Sequence, residues 1–257
     1  MELIDTHSHI YDEAFDADFD EAAARARDAG VVSLIMPGID ISCHQRMLRA
    51  ADALDGYAHP CIGLHPTSVG ENWREELSFV REHIHERRFY AIGEIGLDEY
   101  WSKDFVAEQI RVFEEQLQIA SDEKLPVIIH LREATDDMFR VLEDMRGVPL
   151  RATMHAFSGS YETYRRYLSY PVDFKFGIGG VVTYKNAGVA VALEKMSLSD
   201  IVLETDCPWL TPVPYRGKRN ESSYVRFVAE KVAAVKGIAV DEVARVTTAN
   251  ARDLFSI

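Results

Sequence analysis

Cysteine is scarce in this chain of 257 residues: there are 3, Cys43, Cys61 and Cys207, and no two form a Cys-x-x-Cys pair. That spacing argues against a disulfide framework and against a zinc knuckle, and a reducing, cytoplasmic setting is expected. No apolar run reaches the roughly 18 residues that a membrane span needs, so no membrane association is expected. The first such run already holds Asp5, so no secretory leader is expected either. Positive charge is also short. With 28 Lys and Arg against 42 Asp and Glu, the formal net charge is −14, whereas a protein that grips nucleic acid by charge alone carries a basic surface. The balance argues against such a general polyanion binder. It leaves room for an enzyme on nucleic acid, because carboxylates filled by divalent cations make a locally positive site. Two clusters, Arg165-Arg166 and Arg216-Gly217-Lys218-Arg219, run against the acidic average.

What the chain has in quantity is regular alternation. It is 47% hydrophobic and 27% charged, ordinary for a globular protein. Short β-branched runs predict strands at Glu2–His7, Val31–Met36, Ala58–Gly63, Phe89–Ile95, Pro126–His130, Arg151–His155, Asp173–Ile178 and Asp200–Thr205. Between them lie helical stripes such as Val106, Ile110, Phe113, Leu117 and Ala120, or Trp73, Leu77, Val80 and Ile84. Two further stripes are Met138, Val141, Leu142, Met145 and Val225, Val228, Val232, Val235, and a last helix is expected near Val240–Phe255. Strict strand–helix alternation gives a parallel sheet, and eight units in this length give a closed TIM (β/α)8 barrel, expected as one domain over residues 1–257. No linker, repeat or low-complexity tract divides the chain.

In such a barrel the chemistry sits where strands end and βα loops begin. His7 and His9 lie one residue apart at the end of the first run, so an extended backbone points both to one face, about 6–7 Å apart along the strand. That spacing lets two imidazoles converge on one cation. The fourth run leads to Glu94, the fifth to His130, the sixth to His155 and the eighth to Asp206. One open cation site needs three or four protein ligands. Six candidates fit two divalent cations about 3.5–4 Å apart. The expected arrangement has Glu94 as the bridge, His7, His9 and Asp206 on one ion, and His130 and His155 on the other. The remaining imidazoles at His44, His83 and His85 are expected in helices, and His59 at the start of a strand.

The segments Asp5-Thr6-His7-Ser8-His9, Gly93-Glu94-Ile95-Gly96-Leu97-Asp98, Glu204-Thr205-Asp206-Cys207-Pro208-Trp209-Leu210 and Arg216-Gly217-Lys218-Arg219-Asn220-Glu221 resemble the signatures of the TatD family of metal-dependent deoxyribonucleases. Thr248-Ala249-Asn250 with Leu254-Phe255 is similar to that family's C-terminal helix. The resemblance spans the chain in the right order. It implies an amidohydrolase-like metal-dependent barrel, two divalent metal ions (Mg, Mn or Zn), and removal of nucleotides from the 3′ end of DNA, with metal ligands at His7, His9, Glu94, His130, His155 and Asp206. The departures fall on loops: Ser222 stands where the family often has proline, Leu131-Arg132 where it often has Ser-Arg, and Glu99 precedes the aromatic Tyr100.

Hydrolysis of a phosphodiester is therefore the expected reaction. Metal coordination lowers the pKa of water from about 15.7 towards about 7, and Asp206 is placed to accept the proton while Glu94 holds the ions. His65, which follows the third run, is expected to reach a scissile-phosphate oxygen. Arg132 is expected to add a bidentate phosphate contact. Arg216, Lys218, Arg219 and Asn220 are expected to follow the DNA backbone, and Tyr100, Trp101 and Trp209 to stack on bases of single-stranded DNA. No obligate protein partner is expected. The rival reading is a binuclear lactonase, amidase or phosphotriesterase acting on a small ester. Those barrels frequently bridge their metals with a carbamylated lysine at the end of the fourth strand, where this chain has Glu94.

Overall fold

The computed structural model describes residues 1–257. Strands and helices follow in strict order: β1 (Leu3–Asp5), α1 (Phe19–Asp28), β2 (Val31–Met36), α2 (Ile41–Ala53), β3 (Ala58–Pro60), α3 (Trp73–His83), β4 (Ile92–Asp98), α4 (Val106–Glu123), β5 (Val127–Arg132), α5 (Thr135–Asp144), β6 (Leu150–Met154), α6 (Tyr161–Tyr167), β7 (Val172–Ile178), α7 (Gly188–Lys195), β8 (Ile201–Leu203), α8 (Val225–Lys236) and α9 (Val240–Phe255). All strand pairs are parallel, in the orders β1-β2-β3 and β4-β5-β6-β7-β8. Single pairings close the two seams, Ile62 with Ile92 and Ser8 with Cys207. The Gly93 N–H to Ile62 carbonyl bond (2.9 Å) and the Thr6 N–H to Leu203 carbonyl bond (3.0 Å) support them. The sheet is thus a closed (β/α)8 barrel.

Period-two alternation sorts the apolar residues into two layers. Leu34 and Met36, Val127 and Ile129, and Ile201 and Leu203 belong to the large core between strands and helices. Ile35, Ile128 and Cys61 form a separate cluster with Leu254 and Phe255, and Ile4 and Val202 another with Ala251. The last two turns of α9 therefore pack against the inward-facing strand residues. Five side chains of this inner layer, Ile35, Cys61, Ile128, Val202 and Leu254, are 0% exposed, each burial contributing about 1.5–3 kcal/mol for a large aliphatic group.

Strand ends differ from expectation in an informative way. β1, β3 and β8 keep only three ladder residues each, because the segments beyond them bend to carry polar side chains across the seams. β4 begins three residues later than expected and runs on through Gly96 to Asp98. Its backbone there passes so close to β5 that a Cβ on Gly96 would lie 2.0 Å from the His130 carbonyl oxygen. β5 likewise continues past His130 to Arg132, paired with Asp98. His85 lies just past α3 and not within it, and His59 is the second residue of β3, at the strand start as expected.

Candidate metal centre

The ends of β1, β3, β4, β5, β6 and β8 each deliver one or two polar side chains to the same mouth of the barrel. At the β1 end, Asp5 is fully buried and accepts hydrogen bonds from Thr205 N–H (2.9 Å), Thr205 Oγ1 (2.6 Å) and His7 N–H (3.3 Å), so it ties the end of β1 to the end of β8. His9 is fixed in one tautomer. Tyr11 donates its hydroxyl to the Pro37 carbonyl (2.5 Å) and so accepts from His9 Nδ1 at 2.8 Å. The His9 Nε2 lone pair is left facing His7 Nε2 at 3.0 Å and Glu94 Oε2 at 3.9 Å. A second residue anchoring an imidazole in this way is the usual support of a metal-binding histidine.

Glu94, 3% exposed, turns its two oxygens to different partners. Oε2 is 3.1 Å from His7 Nε2; Oε1 is 3.0 Å from His130 Nδ1, 3.5 Å from His65 Nε2 and 3.9 Å from His155 Nε2. Asp206, held in left-handed backbone (φ 60°), presents Oδ1 at 3.7 Å from each of His7, His9 and His155 Nε2. Ligands about 2.0–2.2 Å from a shared tetrahedral ion stand about 3.4 Å from one another, which is the spacing these atoms have. The structure brings together all six of the expected ligands. His7, His9 and Glu94 form one compact group, and His65, Glu94 and His130 another.

Two carboxylates not singled out from the sequence complete the surroundings. Asp98 Oδ2 lies 2.8 Å from His130 Nε2, while Asp98 Oδ1 accepts the N–H of Tyr100 (3.0 Å) and of Trp101 (3.2 Å). Glu204 accepts the Ala156 N–H at 2.7 Å, and its Oε1 lies 3.0 Å from His155 Nδ1, near enough for an ion pair though not aligned as a hydrogen bond. The signal was present: Asp98 stands four residues after Glu94 and Glu204 two before Asp206, on the same period-two face that picked out His7 and His9.

The electrostatics suit a cation. Burial pushes the carboxyls of Glu204 and Asp206 up to about 7, nearby imidazoles offsetting only part of it. Burial, and then repulsion from a neighbouring imidazole (His155 for His7, His7 for His9), holds His7 and His9 below the ordinary histidine value. Glu94 is itself desolvated, yet His7, His65, His155 and the His130 hydrogen bond keep it well below the usual carboxylate range. His130 also loses solvation, but its bonds to Asp98 and Glu94 raise it to about 9. Buried carboxylates and neutral His7 and His9 converging at one mouth fit a divalent cation, which would favour the unprotonated form of each ligand and displace the proton that His130 holds between Asp98 and Glu94.

The expected substrate residues divide. His65 Nδ1 accepts the Thr67 N–H at 3.1 Å, so the neutral ring carries its proton on Nε2 and directs it into the cluster. Arg132 lies with its guanidinium 3.6 Å from the Tyr100 ring centroid and 5.3 Å from that of Trp101. Trp209 stands 5.2 Å from the His9 ring. Arg216 lies over Tyr184 (4.4 Å) and Lys218 near Tyr215 (5.7 Å). Arg219 and Asn220 are engaged elsewhere, which corrects their expected place on the DNA. Arg219 donates to both oxygens of Asp18 (2.6 and 2.8 Å) and to the Ala14 carbonyl (2.7 Å). Asn220 is 0% exposed and its amide donates to the carbonyls of Thr205 (2.8 Å) and Trp209 (2.5 Å).

A family model described as TatD related DNase matches residues 4–256. The chain is 38% identical over 256 residues to the uncharacterized metal-dependent hydrolase YabD of Bacillus subtilis, 99% of each chain being covered. It is 30% identical over 263 residues to a Pantoea protein named 3′-5′ ssDNA/RNA exonuclease TatD, with 99% of this chain and 100% of that one covered. Among solved structures, the TatD homolog YjjV of Escherichia coli K12 superposes with a TM-score of 0.90 at 27% identity, covering 99% of this chain and 98% of the other.

Proposed function

The chain belongs to the TatD-related DNase family of metal-dependent hydrolases, and from that premise we propose that it is a cytoplasmic exonuclease that removes nucleotides from the 3′ end of single-stranded DNA. The observation that carries a nucleic-acid strand over a small ester is the placing of exposed aromatics on two sides of the cluster. Trp209 is 49% exposed beside His9, and Tyr100 and Trp101 are 48% and 70% exposed on the loop tied to Asp98. A small ester needs an enclosing pocket; a strand needs stacking platforms open to solvent, worth about 1–3 kcal/mol per base.

In this reading His7, His9 and Asp206 would hold one divalent ion and His130 and His155 a second, with Glu94 contributing to both; Mg²⁺, Mn²⁺ or Zn²⁺ would suit them. The chemistry such a pair supplies is charge neutralisation at phosphoryl oxygens and a lowered pKa for water. The chain's own residues do the rest. His65 donates its Nε2 proton to a phosphoryl oxygen. Asp206, whose Oδ1 stands 3.7 Å from His7, His9 and His155 Nε2, would accept the proton of the attacking water. Arg132 binds a phosphate by its fork while Tyr100 holds the guanidinium plane. Arg216 and Lys218 steady the backbone further along.

The test is digestion of end-labelled single-stranded oligonucleotides with Mg²⁺, Mn²⁺ or Zn²⁺ in turn. A ladder shortening from the 3′ end, abolished by chelator, is expected. Intact oligonucleotide alongside rapid turnover of a lactone or a p-nitrophenyl phosphate overturns the reading.

A further inference from the structure

Between the β5–α5 and β6–α6 loops a cavity of about 320 Å³ opens beside the cluster, with His155 in its wall. Leu131, Met154 and Phe157 give it apolar surfaces, Thr135, Ser158 and Thr163 add hydroxyls, and Arg132, its guanidinium laid on the Tyr100 ring, is the cation in its wall, placed for the 5′ phosphate of a bound nucleotide unit. Its shape is built in. Phe157 is 8% exposed and packs edge-on against Phe176 with centroids 4.9 Å apart. A side chain on Gly159 would meet the Phe157 ring at 2.9 Å. Glu133 and Ala156, both lining residues, hold left-handed backbone (φ 54° and 45°), a conformation that costs a non-glycine residue and persists only where its surroundings fix it. For Ala156 the fixing group is Glu204, which accepts its N–H. The volume lies in the range of ligand pockets, about 300–1,000 Å³, and has room for a nucleoside.

Beyond the cavity the surface turns acidic. Glu99, Glu133, Asp136 and Asp137 border an adjoining depression that shares Glu133 and Thr135 with it. Lys103 and Arg140 offset Glu99 and Asp137 only in part. A phosphate there meets like charge. The cations Arg216 and Lys218 stand on the β8–α8 connection, three strands further round the barrel. Charge therefore favours a polyanionic strand leaving the site towards β8 over one continuing past α5.

We infer that this cavity takes the terminal nucleoside of the strand and that the acidic rim rejects an end bearing a further phosphate. The inference rests on the nuclease reading and adds which unit is bound and where the strand must stop. Hydrolysis breaks the bond between phosphorus and the 3′ oxygen of the penultimate unit. Water supplies hydroxyl to phosphorus and a proton to that oxygen, and the terminal unit leaves as a 5′-mononucleotide.

The test uses the full chain with Mn²⁺ and two single-stranded oligothymidylates, one ending in a 3′-hydroxyl and one in a 3′-phosphate. The hydroxyl-ended strand is expected to be shortened at least about tenfold faster, and the gap to narrow below about threefold in Glu133→Gln/Asp136→Asn or at high salt. Ser158→Trp, which fills the mouth, is expected to lower kcat/KM on the hydroxyl-ended strand by about tenfold or more, with Mn²⁺ stoichiometry by calorimetry as in the unaltered protein. Equal rates on the two ends, or undiminished turnover by Ser158→Trp, overturn the inference and leave the nuclease reading standing. Failure of the unaltered protein to shorten either strand overturns both.

Discussion

The carboxylate of Glu204 occupies the room that Gly177 leaves by having no side chain: a Cβ on Gly177 would lie 2.1 Å from Oε2. Glu204 is 1% exposed and stands behind His155, 3.0 Å from its Nδ1, while holding the Ala156 N–H. Gly177→Ala therefore displaces the carboxylate that stands behind His155, and the His155 ring is expected to shift with it. Residues that support metal ligands are worth about 10–100-fold in metal affinity, and a loss in that range is expected in Mn²⁺ titration of the variant, with the far-UV spectrum retained. Glu204→Gln keeps an acceptor for Ala156 and loses the charge, so an intermediate loss is expected. Undiminished affinity in Gly177→Ala would show that Glu204 does not set the ring.

Glu94 is the one side chain whose oxygens face both groups of imidazoles. Glu94→Ala removes the shared negative charge and leaves His7, His9, His65, His130 and His155 crowded around a gap. The expected outcome is loss of bound metal from both positions and a fall in turnover of at least about 10³-fold. Metal analysis after saturation and gel filtration checks it. Undiminished metal content would remove Glu94 from the bridging place proposed for it.

The barrel was legible because its signal is redundant. Ile4, Ile35, Ile128 and Val202 alternate with outward Leu3, Leu34, Val127 and Ile201 in the way a closed sheet demands. The six ligand candidates were legible for a similar reason, each standing at the end of an apolar run. What the linear order does not carry is pairing. Nothing local tells which nitrogen of His130 meets Asp98, or that Tyr11 fixes the tautomer of His9. A cationic loop reads alike whether its charges face solvent or a partner, and Arg219 meets Asp18 across 201 positions of chain.

Lys218 and Arg219 are neighbours in sequence and are expected to behave differently. Arg219 lies in a network with Asp18, Arg25 and Glu221, where Arg25 donates to Glu221 at 2.7 Å and to Asp18 at 2.8 Å. Arg219→Ala is expected to lower stability by about 1–2 kcal/mol, since it breaks charge-assisted bonds at a half-exposed site. Its KM for oligonucleotide should change little below the melting range. Lys218→Ala should do the reverse, raising KM and flattening its salt dependence while leaving the melting temperature unmoved. Thermal melts and KM at two salt concentrations separate the cases, and a raised KM in Arg219→Ala alone would return Arg219 to the substrate.

Trp209 stands beside His9 with half its surface open. If a base stacks there, Trp209→Ala weakens binding of a single-stranded oligonucleotide by about 1–3 kcal/mol, and the native Trp fluorescence is quenched on titration with oligonucleotide in Ca²⁺ or another non-supporting ion. Hydrolysis of a small phosphodiester by the variant should fall far less. Equal losses on both substrates would assign Trp209 to packing over His9.

Acid sensitivity far from the metal centre has a separate source. His59 is 7% exposed, its Nε2 2.6 Å from Ser33 Oγ and its ring 4.4 Å from Tyr90. Burial first, and Arg88 second, lower its pKa from 6.5 to about 4. Above about pH 6.5 the ring is neutral folded or unfolded and contributes no pH dependence. Between 6.5 and 4 the unfolded chain binds a proton that the folded chain does not, so stability falls as pH falls through that window. The full shift sets an upper bound, and about 2 kcal/mol is expected after solvent access and relaxation are discounted. Urea unfolding near pH 7 and near pH 4.5, with chelator present throughout so that ion loss does not contribute, measures the difference. His59→Asn should flatten the decline by that amount. An unchanged slope would mean that the ring is already solvated as it protonates.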